Sequence, residues 1–223
     1  MSGIVSSKLV GVAVEAGELF GVPRADLLAH LPDPKILKRS WQRLEWDPFV
    51  ELMSHALRPM GTGEALLEAG RVYKRERYKL RSAHLYGQFR SWERMFWVTK
   101  HFIVSHLIQG FHMEYKRLED DFFWFELSLP ESRTPFPDFL YFCIGVWSGS
   151  SRQANLSNEL RNVRVSPHRG SAELRFDERS LASKAAFNPI YSRWRTHREL
   201  KATLRDEHRM IREVLRETEQ LKR

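Results

Sequence analysis

The chain has 223 residues, with 36 Lys and Arg against 28 Asp and Glu and a net charge of +8. At 42% hydrophobic and 29% charged it is composed like one globular domain with appendages, and its seven tryptophans supply much of the apolar mass. A single cysteine, Cys143, excludes an internal disulfide framework and a cysteine metal cluster. No run approaches the roughly 18 apolar residues of a membrane span, and Met1–Leu9 lacks the apolar stretch of a secretory signal. No membrane association and a cytoplasmic location are therefore expected.

In chain order, Ser6–Phe20 carries Leu9, Val10, Val12, Val14, Leu19 and Phe20 among polar residues and ends at Gly21, which predicts a helix. Pro23–Leu28 opens a second short helix that stops before Pro32-Asp33-Pro34. Asp47 is placed to cap a third, with Pro48 at its first position, running through Phe49, Val50, Leu52, Met53, Ala56 and Leu57 to Pro59. After Gly61-Thr62-Gly63 a fourth runs to about Tyr73. Gln88–Gln109 predicts the longest aromatic helix of the body, with Phe89, Trp92, Met95, Phe96, Phe102, Ile103 and Leu107 near helical spacing.

The period then changes. Phe111, Met113 and Tyr115 alternate with His112, Glu114 and Lys116, Glu119-Asp120-Asp121 makes a polar turn, and Phe122–Leu129 is rich in strand formers, so a hairpin is expected. Pro130–Pro137 is a loop, and Asp138 starts a helix through Phe139, Leu140, Phe142, Cys143, Val146 and Trp147 to Gln153. Val163–Ser166 and Ala172–Phe176 form a second hairpin around Pro167–Gly170. Helices, hairpin, helix, hairpin: the expected class is α+β, with about four strands in one antiparallel sheet and helices packed on it.

From Asn188 to Arg223 there is no glycine, and the only proline is Pro189, in a first-turn position. Leu204 and Ile211 share one heptad seam position and Leu200, Val214 and Leu221 the other. This predicts a coiled-coil helix that pairs in parallel in a homodimer. Glu207 and Thr218 also fall on the seam and would make the pairing switchable. The helix reaches Gln220-Leu221-Lys222-Arg223 in mid-pattern, without a C-cap, and is expected to continue into an output domain. The organisation read from the sequence is a helical segment over 1–60, an α+β body over 61–180 and a signalling helix over 188–223.

The helix Asp138–Gln153 between two hairpins, with the last hairpin Val163–Phe176, resembles the small-molecule-binding domains of the vinyl-4-reductase and haem-NO-binding group. Val22-Pro23-Arg24-Ala25-Asp26-Leu27-Leu28 resembles the opening helices of ligand-sensing domains attached to AraC-type regulators. The resemblance covers about Val22–Phe176 and implies a pocket between helices and sheet, in a domain at the N-terminus of bacterial sensor kinases, diguanylate cyclases or transcription regulators. Haem sensors of this group carry Tyr-x-Ser-x-Arg for the propionates. The nearest match, Tyr191-Ser192-Arg193-Trp194-Arg195, has Arg in place of the Ser. The paired cysteines found in some last hairpins are missing.

An apolar ligand pocket could be lined by Trp92, Phe96, Trp97 and His101 from one helix and Phe139, Phe142, Cys143 and Trp147 from the next, unless these rings simply fill the core. His101 is the first choice for an axial haem ligand, though the cofactor, if any, is not specified by the sequence. His101 and His106 lie five residues apart, about 140° round a helix, and no His-x-x-x-His pair exists there to hold a metal. Gly145-Val146-Trp147-Ser148-Gly149 has its serine off register for a nucleophile elbow, so no catalytic set is assembled. The expected function is a sensory, dimerising domain that relays through its C-terminal helix. The alternative is a nucleic-acid-binding regulator using Arg71, Lys74, Arg75, Arg77, Lys79 and Arg81; acids interleaved through the tail (Glu199, Asp206, Glu213, Glu217) argue against it.

Overall fold

Ser6 is the first residue whose side chain organises the chain: its hydroxyl accepts from the Leu9 N–H at 3.4 Å and caps helix α1, Ser7–Leu19. The structure, a computed structural model, describes residues 4–39, 42–78, 93, 96–97, 99–118, 122–152 and 159–175. The chain divides into a body, Met1–Ala182, and a second unit, Ser183–Arg223. All described residues lie in the body. The seam residues Leu200, Leu204, Ile211, Val214 and Leu221 fall outside them, as does Trp92.

Just before α1, strand β1 (Val5–Ser6) pairs antiparallel with β2 (Arg43–Leu44), Val5 opposite Leu44. Val5 also bridges to Ile108, and the Gln109 N–H donates to the Ile4 carbonyl at 3.0 Å. Arg43 closes the seam by donating to the Ile4 carbonyl at 2.9 Å. Helix α2 follows at Arg24–Ala29, with Pro23 at its N-cap.

Helix α3, Trp46–Leu57, begins earlier than expected: Glu45 is its N-cap and Asp47 and Pro48 lie inside the first turn. Pro48 is tolerated because the first turn's N–H groups have no intrahelical acceptor. Asp47 instead accepts from the Thr134 hydroxyl at 2.6 Å, while the Trp46 indole donates to the Thr134 carbonyl at 2.9 Å. The two bonds pin the loop before the next body helix over the start of α3.

Helix α4 runs from Glu64 to Tyr78, past the expected end at Tyr73, because no Gly or Pro interrupts Lys74–Tyr78. Of the helix expected over Gln88–Gln109, the described residues Glu93, Phe96 and Trp97 are helical, Thr99–Val104 is π-helical, and a last turn, α5, spans Ser105–Leu107.

The four-stranded sheet has the expected antiparallel hairpins. Strands β3 (His112–Arg117), β4 (Phe122–Ser128), β5 (Leu160–Val165) and β6 (Arg169–Arg175) lie in the order β3-β4-β6-β5. Tyr115 faces Phe125 across one pair, and Phe123 faces Leu174 across the next. Period-2 alternation puts Met113, Phe123, Phe125, Leu127, Ala172 and Leu174 on one buried face. A register shift between Arg161 and Arg164, with Asn162 at φ 54°, marks a bulge in the edge strand β5.

Helix α6, Pro137–Arg152, lies between α4 and that face. Against α4 it presents Gly145 and Gly149, and α4 answers with Gly70. A Cβ on Gly145 would collide with the Leu67 carbonyl oxygen, and one on Gly70 with that of Phe142. Ser148, fully buried, donates to the Gly145 carbonyl and accepts from the Arg71 Nε, both at 2.9 Å. On its sheet side, Leu140 and Ile144 sit over Gly170. Among the described residues, no helix is long and apolar enough to cross a membrane.

Candidate ligand-binding site

The rings singled out in the sequence are distributed over four places. Phe96, fully buried, is the centre of the first: it stacks on Trp147 at 5.3 Å and 6°, on Tyr115 at 5.3 Å and 23°, and on Phe123 at 5.4 Å and 20°. Phe125 closes the group, 6.2 Å from both Phe96 and Trp147. Two ligand-pocket candidates, Phe96 and Trp147, are thus brought together, at the junction of the aromatic helix, α6 and the sheet. Tyr115, Phe123 and Phe125 complete the cluster. The signal for them was present in the strand alternation, which puts odd-numbered residues of both strands on one face.

Phe139 belongs to a second cluster, with Phe49 at 5.5 Å, Phe136 at 5.8 Å, Phe111 at 6.0 Å and Trp46 at 6.3 Å. Phe142 points the other way along α6 and meets Tyr73 of α4 at 5.7 Å. Cys143 is half-buried, and desolvation pushes its thiol well above the ordinary range, away from the reactive thiolate.

Trp97 and His101 form a pair of their own on an exposed face, where Trp97 is 47% accessible. Their rings lie 4.8 Å apart, and His101 Nδ1 is 2.8 Å from the Trp97 carbonyl oxygen. The basic stretch of α4 is engaged in its described part: Arg71 pairs with Glu68 at 3.1 Å and Arg75 with Glu76 at 3.0 Å. Arg77, Lys79 and Arg81 have no described side chains. Among the described residues, no group of three or more His, Cys, Asp or Glu is placed to hold a metal ion.

An antiparallel four-stranded sheet with one helix across it, preceded by a helical N-terminal layer, defines the class: an α+β domain. Solved structures similar to it include H-NOX domains. An H-NOX variant from T. tengcongensis superimposes with a TM-score of 0.54 at 12% identity, over 78% of this chain and 98% of that one. A Cs H-NOX variant with an unnatural amino acid gives 0.51 at 14%, over 78% and 97%, and a structure from work on haem distortion in the H-NOX family gives 0.55 at 12%, over 78% and 95%. The fold is that of the H-NOX domain. No family profile and no curated protein sequence matches the chain.

That fold raises haem, and the described residues do not fit it. An axial histidine must present a ring nitrogen inside an apolar slot. His101, His106 and His112 are exposed. His168 uses Nε2 on the Arg133 carbonyl at 2.9 Å, and His30 and His55 stack on each other. The described buried residues of the turn that carries His101 are Thr99 and Val104.

Proposed function

We propose that the chain is the sensory, ligand-binding part of a signalling protein, taking a small apolar molecule in an H-NOX-type body. The observation that carries this is the superposition itself, which spans 95–98% of the H-NOX chains and 78% of this one. The ligand would lie beside the Phe96–Trp147 cluster, where rings from a helix and a sheet meet. Rings supply dispersion and shape, and Tyr115 supplies a polar tip. Binding would act by differential affinity for two arrangements of the body. The change would pass through Asn188–Arg223, paired across a cytoplasmic homodimer, to a kinase, diguanylate cyclase or DNA-binding output.

Native mass spectrometry of the purified full chain tests ligand and pairing together. A dimer carrying a small additional mass is expected, with the dimer lost in a Leu204→Glu/Ile211→Glu variant and the bound mass kept. A monomer with no bound mass, and no stabilisation by any apolar compound, would overturn the reading. A haem mass with an absorption band abolished by His101→Ala would replace the ligand class.

A further inference from the structure

One half-buried pair of titratable side chains takes no part in the ring clusters. His30 ends α2, and His55 lies in the last turn of α3; their rings stack with centres 4.4 Å apart and planes inclined by 41°. Both ring nitrogens of His55 are shielded from solvent, and neither has a hydrogen-bond partner. A neutral imidazole already loses by this arrangement. An imidazolium, which carries two N–H donors and a charge, loses far more.

The stack is not a metal site. A stable site needs further ligands, and among the described residues no group of three or more His, Cys, Asp or Glu is placed to hold a metal ion. The groups facing His55 are His30 and Asp26 from α2 and Arg58 from the turn after its own helix. Burial first, then His30 and Arg58, hold its pKa below the ordinary value, and Asp26 opposes them. Around the pair, α2 contributes Leu27, fully buried, whose methyl groups press on Gly17 of α1. No ion pair or disulfide among the described contacts joins α2 to α3; its one described salt bridge, Arg24 to Glu18 at 2.8 Å, goes to α1.

We propose that the His30–His55 contact is a proton-released latch: with His55 neutral it seats α2 against α3, and protonation of His55 frees α2. A charge on His55 is held where neither of its N–H donors has a partner, and charge on His30 repels it. Asp26 moderates the repulsion and Arg58 adds to it. The device would make the helical layer respond to mild acidification independently of any ligand.

The test is a histidine NMR titration of the full chain, with amide exchange followed at Leu27, His30 and Leu31, whose N–H groups bond to Pro23, Leu27 and Leu28. The expected result is that His55 titrates below its ordinary value. Those amides should lose about tenfold in protection, after correction for intrinsic rates, between about pH 7.5 and 5.5, while α1 amides keep theirs. His55→Phe should abolish the response. His30→Gln keeps His55 in place, should raise its titration midpoint and should weaken the response. His55 titrating at its ordinary value or above, a response retained in His55→Phe, or a midpoint unmoved by His30→Gln would each overturn the proposal.

Discussion

Phe96 and Trp97 are adjacent in sequence and opposite in fate. Phe96 meets rings from two strands and from α6, while Trp97 turns outward to stack on His101. Truncating Phe96 to Ala should therefore destabilise the body by about 3–5 kcal/mol, and truncating Trp97 by about 1 kcal/mol or less. Urea midpoints at unchanged slope read the two directly, and equal losses would contradict the assignment. The sequence listed both as candidates because helical spacing separates faces but does not orient them. The π-helical turns from Thr99 onward further blur the 3.6-residue period by which His101 and Trp97 could have been set on the outer face. The His30–His55 stack was invisible for another reason: its partners sit on different helices and meet only by tertiary packing.

Among the elements, the α4–α6 pair is the tightest joint described. Three glycines and one buried serine let two backbones approach where side chains ordinarily intervene. Gly145→Ala should cost about 3 kcal/mol, at the upper end of overpacking, because the atom in the way is a main-chain carbonyl that cannot rotate aside. Gly11→Ala, with nothing near its added carbon, is the matched control and should be neutral or slightly stabilising. Thermal unfolding of both variants checks the contrast. At this scale much was readable: α6 from Asp138 onward, both hairpins and the span of α1 up to Gly21 follow from local period and breakers. Strand β1 was not, since a two-residue strand has no period and its partners, Leu44 and Ile108, are remote. The start of α3 was misplaced because Asp47 serves Thr134, a contact that local capping rules do not contain.

For the whole molecule, acid stability should fall in two windows. His55 has a lowered pKa, so the unfolded chain takes up its proton first and stability drops as pH falls below about 6.5. Glu173 is also lowered, by hydrogen bonds from Asn162 first and Arg161 next, so its contribution is present above the usual carboxylate value and is lost as pH falls through the lowered one. Asp138, raised by burial, acts with the opposite sign and gains stability as it is protonated, partly offsetting the second step. Urea midpoints taken from neutral pH to about pH 3 should show both declines, with Glu173→Gln flattening only the lower one. A single decline unaffected by either His55→Phe or Glu173→Gln would refute this account. The α+β class and the four-stranded antiparallel sheet were readable from the order of periods along the chain. The ligand was not, because ring spacing is the same whether rings enclose a guest or one another.

The bridge between Val5 and Ile108 has a consequence for biosynthesis. Val5 emerges from the ribosome early, but Ile108 follows roughly 5–20 s later at ordinary rates of synthesis. Until then α1 must carry its apolar residues Leu9, Val10 and Val14 with β1 paired to β2 at most and without the bridge to Ile108. Synonymous codon changes that slow translation between Leu44 and Ile108 should therefore prolong the time this segment is open to chaperones, so its yield depends on tempo as well as on sequence.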